Sequence, residues 1–185
     1  MDPETVTTFF ALLAVFAQSV VALVFGSWVL GRFVPVVERR REAVGALVAP
    51  QAIALAAVVA LVCTLGSLYL SEVAHFRPCR LCWYQRFAMY PLVVLLAVAA
   101  ATRIRLLRVG SMAVAVVGGT ISIYHLAIER IPSLEASSSC DPFNPCSLIW
   151  VEHFGYVTIP AMALSGFALI VTLLVVAGGR DQEAP

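Results

Sequence analysis

The chain has 185 residues, of which 61% are hydrophobic and only 12% charged, with a formal net charge of +1. So little polar sequence cannot coat a water-soluble globule, and so small a charge offers nothing to the phosphates of a nucleic acid. The bilayer is therefore part of the solvent, and an all-α integral membrane protein is expected, because unpaired backbone groups in hydrocarbon are too costly to leave exposed.

Apolar runs long enough to cross about 30 Å of hydrocarbon, which takes roughly 20 residues, occur five times. They lie near Phe9 to Gly31, Ala52 to Leu70, Leu81 to Ala101, Val109 to Ile128 and Val157 to Ala177. The acidic start and the length of the first run predict a retained helix rather than a cleaved signal peptide. Every basic residue is arginine, and their distribution predicts orientation. Arg32, Arg39, Arg40 and Arg41 separate the first two runs, Arg103, Arg105 and Arg108 the third and fourth, and Arg180 follows the fifth. These segments are expected in the cytoplasm, which puts the N-terminus out and the C-terminus in. The opposite ends hold Asp2, Glu4, Glu72, Glu129, Glu135, Asp141 and Glu152 against Arg77, Arg80 and Arg130.

Two cysteine pairs, Cys79 with Cys82 and Cys140 with Cys146, fall in connectors on that outer side, where disulfides persist. Structural bridges are one reading. They would add little, since both connectors are short and already anchored by helices. The other reading is a reactive relay. Cys79-x-x-Cys82 stands at an expected helix start, where exposed backbone amides favour a thiolate. Arg86 follows Cys82 by one helical turn, about 6 Å deeper at roughly 1.5 Å per residue. Such a guanidinium is either an interfacial anchor beside Trp83 and Tyr84 or a charge set to stabilise the Cys82 thiolate and a reduced, oxygen-bearing acceptor. Cys63 lies mid-span without a pairing candidate and reads as an inert buried thiol. His75 and His153 read as loop residues near the interface. Gly66, Gly118, Gly119, Ser165 and Gly166 permit close helix packing.

The string Pro78-Cys79-Arg80-Leu81-Cys82-Trp83-Tyr84-Gln85-Arg86 resembles the signature of the DsbB family of membrane quinone reductases. Leu65-Gly66-Ser67-Leu68-Tyr69, Met89-Tyr90-Pro91, Tyr124-His125, Ile131-Pro132-Ser133, Phe154-Gly155 and Thr158-Ile159-Pro160 are similar to the short-loop, Gram-positive type. The resemblance implies a four-helix redox domain over 51–185, with extracytoplasmic loops 71–81 and 129–157. Residues 1–33 are then an added spanning helix and 34–50 an Arg-rich cytoplasmic connector. It further implies a bacterial cell-membrane enzyme that reoxidises an extracytoplasmic thioredoxin-like, DsbA-type partner and passes the electrons to menaquinone or ubiquinone. Cys79, Cys82, Cys140 and Cys146 are the expected catalytic residues, with Arg86, His125 and Cys82 at the quinone and His125 bonding a quinone oxygen. The stretch from Ser147 to Thr158 resembles the family's segment lying on the membrane surface. Consistent with a lipid-soluble acceptor, no dinucleotide, haem or iron–sulfur motif is present. A vitamin-K-epoxide-reductase-like enzyme and a non-enzymatic subunit with structural disulfides are the rival readings. The Tyr-Gln-Arg continuation and the position of the second cysteine pair favour the DsbB-like reading over both.

Overall fold

The computed structural model describes residues 3–137, 140–141 and 143–179; Asp2, Ser138, Ser139 and Arg180 lie outside the described residues. Helix α1, Pro3–Gly31, opens at a proline and therefore starts well before Phe9. The connector after it is mostly helical: α2, Pro35–Val48, also opens on proline and carries an Arg41–Glu38 ion pair of 3.0 Å. Helix α3, Ala52–Leu68, continues into a π-helical turn over Tyr69–Val73, and α4 spans Arg80–Thr102. Arg103, at a left-handed φ of 57°, turns the chain directly into α5, Arg105–Arg130, which is longer than the apolar run alone implied.

The largest departure from expectation comes next. Val157 and Thr158, expected inside the last span, form strand β2 (Val157–Thr158), paired antiparallel with β1 (Glu152–His153). Phe154 and Gly155 take positive φ at the turn, and the Thr158 hydroxyl donates to buried Glu129 at 2.7 Å. The second half of the stretch from Ser147 to Thr158 is thus a small hairpin, with Leu148, Ile149 and Trp150 exposed before it. Helix α6, Ile159–Gly179, starts with Pro160 in its first turn, where the missing amide costs least. Among the described residues, five helices (α1, α3 with its π-turn, α4, α5 and α6) are long and apolar enough to span a membrane.

Helices α3, α4, α5 and α6 form a four-helix bundle, with α1 against the outside of α6 and α2 folded onto α1. Its core is built from small residues of α3, Leu92 and Leu96 of α4, and Phe167, Ile170 and Leu174 of α6. Gly118 of α5 lets the Phe167 ring lie on bare backbone; any Cβ there would collide with it. Cys63 packs the same way against Gly166. Arg103 donates to the Pro50 carbonyl at 3.2 Å and Arg108 lies beside Gly178, so the arginine-rich connectors share one end of the bundle. The cysteines occupy the other.

Candidate functional site

Cys79 caps the N-terminus of α4. Its sulfur accepts the Cys82 amide at 3.4 Å, and the two sulfurs, both free thiols, are 3.0 Å apart. The i to i+3 spacing at a helix start is what brings them together. The S–H of Cys82, aided by the neighbouring His125, holds the Cys79 thiol well below its ordinary value although burial opposes this. Cys140 and Cys146 are joined by a disulfide.

The short loop of that disulfide is pinned against the first pair. Asn144 donates its side-chain amide to the Pro78 carbonyl at 3.1 Å, just ahead of Cys79. Glu135 accepts from the backbone amides of Cys146 and Ser147 and from the Ser147 hydroxyl. Burial alone would raise the Glu135 carboxyl, but these donors hold it below the usual carboxylate range. As a result Cys146, 1% exposed, and Cys79, 5% exposed, share one buried cluster with Leu81 and Ile128, while Cys140 is half-buried.

His125 stands between the two pairs. Its Nε2 lies 3.1 Å from the Cys146 carbonyl and 3.6 Å from the Cys79 sulfur, and its Nδ1 is 3.1 Å from the Gln85 amide nitrogen. A carbonyl can only accept, so Nε2 carries the proton. Gln85 then donates to Nδ1; turning its amide over would serve an imidazolium equally well. The imidazole can therefore take up a second proton at Nδ1, against Gln85, without losing a hydrogen bond and with its Nε2–H still beside Cys79.

Cys82 borders the same cluster and also opens the other way. It lines a cavity of about 340 Å³ together with Gln85, Arg86, Met89 and Tyr90 of α4, Ser67 of α3, and Trp150. Arg86 lines this cavity, and His125, expected with it at the acceptor, meets the cavity wall through Gln85. Arg86 is 9% exposed and donates through Nε to the Ser67 hydroxyl at 2.9 Å and through one Nη to the Ser67 carbonyl at 2.7 Å. The same guanidinium lies 5.2 Å from the Trp83 ring centroid. Among the described residues its other Nη has no hydrogen-bond partner. A charged donor left free in an apolar cleft suits a flat molecule bearing acceptor oxygens.

Ser67, Gln85 and Tyr90 lie inside strings that carried the resemblance, yet nothing local to them pointed to a role. Glu135 and Asn144 were equally silent, since their partners are distant in sequence. His153, read as a loop residue, is on β1 and hydrogen-bonds Thr7 of α1 at 3.1 Å.

Comparison with known proteins places this geometry. Residues 49–177 match the family model described as disulfide bond formation protein DsbB. Disulfide bond formation protein C of Bacillus subtilis is 40% identical over 126 residues, covering 68% of this chain and 91% of the relative. A probable disulfide formation protein C of Bacillus cereus is 43% identical over 109 residues, covering 59% and 78%. A probable disulfide formation protein of Coxiella burnetii is 39% identical over 119 residues, covering 64% and 81%. No solved structure matches the chain.

Proposed function

Because the chain belongs to the DsbB family, bacterial multi-pass membrane thiol-disulfide oxidoreductases, we propose that it oxidises an extracytoplasmic thioredoxin-like protein and delivers the electrons to a membrane quinone. One observation carries the reading: Cys79 shares a buried cluster with Cys146, while its neighbour Cys82 faces the cavity with Arg86. Residues 51–185 form the redox domain, 1–33 an added span and 34–50 a cytoplasmic connector.

The chemistry is a chain of exchanges that begins with both pairs as disulfides. A partner thiolate attacks Cys140 and releases Cys146 as thiolate. Cys146 attacks Cys79, forming their mixed disulfide and releasing Cys82. The partner's second thiol then leaves with the partner's own disulfide, freeing Cys140, which attacks Cys146 and releases Cys79. A thiol of lowered pKa is a better leaving group, so the environment of Cys79 speeds this last release. The resulting state, Cys140 bonded to Cys146 with Cys79 and Cys82 reduced, is the arrangement described above. His125 holds a proton at Nε2 beside Cys79, and Gln85 keeps the ring oriented. Closure of the Cys79–Cys82 disulfide gives up two electrons and two protons. A menaquinone or ubiquinone held in the cavity would supply the two-electron acceptor, with Arg86 placed to donate to one of its oxygens. Purified protein mixed with a reduced thioredoxin-like partner and quinone should bleach the quinone absorbance in step with partner oxidation. Bleaching that is unchanged without the partner would sink the reading.

The arginine bias supports an N-out, C-in orientation with the cysteine end outside. Membrane-impermeant thiol reagents added to intact, reduced cells should therefore label half-buried Cys140 and spare Cys63. Labelling of Cys140 only after lysis would invert the topology.

A further inference from the structure

The cavity beside Cys82 has a wall that lies outside the family match, which begins at residue 49. Phe10, Leu13, Ala14 and Ala17 of α1 line it. Phe10, Ala14 and Ala17 stand at i, i+4 and i+7, one face of the helix. Three polar contacts fix that face. Gln18, midway along α1, donates to Ser165 of α6 at 2.9 Å and accepts from the Tyr156 hydroxyl at 2.9 Å, and Thr7 meets His153 on the hairpin at 3.1 Å. A polar side chain at that depth is costly unless bonded, so these contacts set the rotation of α1. Phe10 in turn lies on Gly66 of α3, where any Cβ would collide with the ring.

The cavity is long and divided in character. Along α4 its lining runs from Cys82 to Tyr90, about 12 Å at roughly 1.5 Å per residue. Cys82, Gln85, Arg86 and Ser67 make the end near the cysteines polar. Deeper, Val58, Val59 and Val62 of α3 and Leu169 of α6 face the α1 wall.

Resting on the reading of this cavity as the acceptor site, we propose that α1 closes its deep half into a channel for the apolar tail of an isoprenoid quinone, making the chain selective for tailed over tail-less acceptors. Ala14 and Ala17, 5% and 6% exposed, set the width of that channel because their side chains stop at Cβ. Binding of a long-tailed benzoquinone and of the same ring without its tail can be measured by quenching of tryptophan fluorescence, since Trp150 lines the cavity. The unaltered protein should bind the tailed form more tightly. Ala14→Phe and Ala17→Phe should raise the ratio of tailed to tail-less Kd by about tenfold, the scale on which a filled apolar pocket discriminates. Leu23→Phe, at a position 73% exposed on the same helix, should leave the ratio unchanged. Where a phenylalanine variant does not fold, Ala14→Leu is read in the same way. An unchanged ratio in the alanine variants overturns the proposal and leaves the deep half to a lipid acyl chain. Equal weakening of both quinones overturns it too, by placing the effect at the ring. If the unaltered protein binds neither quinone, the acceptor reading itself has failed.

Discussion

Replacing Arg86 with alanine should raise the KM for quinone by about ten- to a hundredfold, because a hydrogen bond from a charged donor contributes about 1.5–3 kcal/mol and each 1.4 kcal/mol is a tenfold change. The guanidinium is almost buried, and two of its nitrogens are held by Ser67. It is therefore oriented before the acceptor arrives, and little ordering is left to be done on binding. Arg86→Lys should recover part of the loss, since a point charge survives while the planar fork that grips Ser67 does not. Ser67→Ala should give a smaller rise in the same parameter, because it frees the cation without removing it. His125 separates the two halves of the mechanism. As a group at the thiol pairs, its replacement by alanine should slow oxidation of the partner and move the quinone KM far less than Arg86→Ala does. An Arg86→Ala protein of normal thermal stability and unchanged quinone KM would reduce that residue to an interfacial anchor.

How much of this was legible in the sequence depends on how far apart the interacting residues lie. The spans follow from apolar length alone, and the closeness of Cys79 and Cys82 follows from i to i+3 spacing at a helix start. Arg86 could be placed a turn below Cys82, but its anchor, Ser67, lies 19 residues back on another helix. Local periodicity carries no information about that contact. The resemblance singled out His125, but the contacts that hold it, with Gln85, 40 residues away, and with the Cys146 carbonyl, could not be read from local sequence. The hairpin was hidden because Val157 and Thr158 are apolar or β-branched and run into α6 without a break in hydropathy. What ends the helix there is the positive φ of Phe154 and Gly155 and the bond from Thr158 to Glu129, both products of the tertiary fold. The α1 wall was invisible for the same reason. Alanines in a spanning helix look alike whether they face a cavity, a neighbour or lipid.

The order of the relay gives the other large effect. With Cys82 and Cys140 both changed to serine, Cys79 and Cys146 remain as neighbours in one buried cluster, and mild oxidation should join them in most of the protein. With Cys79 and Cys140 changed instead, the remaining Cys82 and Cys146 should join less, since Cys82 only borders the cluster that Cys79 and Cys146 fill and also opens onto the cavity. Entry is tested separately, because access rather than contact decides it. In Cys146→Ser protein, Cys140 activated as a mixed disulfide with a small aromatic thiol should be captured rapidly by a partner carrying a single thiol. In Cys140→Ser protein, Cys146 activated in the same way should react at least about tenfold more slowly, as expected for a sulfur without solvent access. Non-reducing gels, with mass spectrometry of the linked peptides, read both experiments. Faster capture at Cys146, or a dominant Cys82–Cys146 link, would mean that electrons enter by a route other than Cys140 to Cys146 to Cys79, and that burial does not order these four sulfurs.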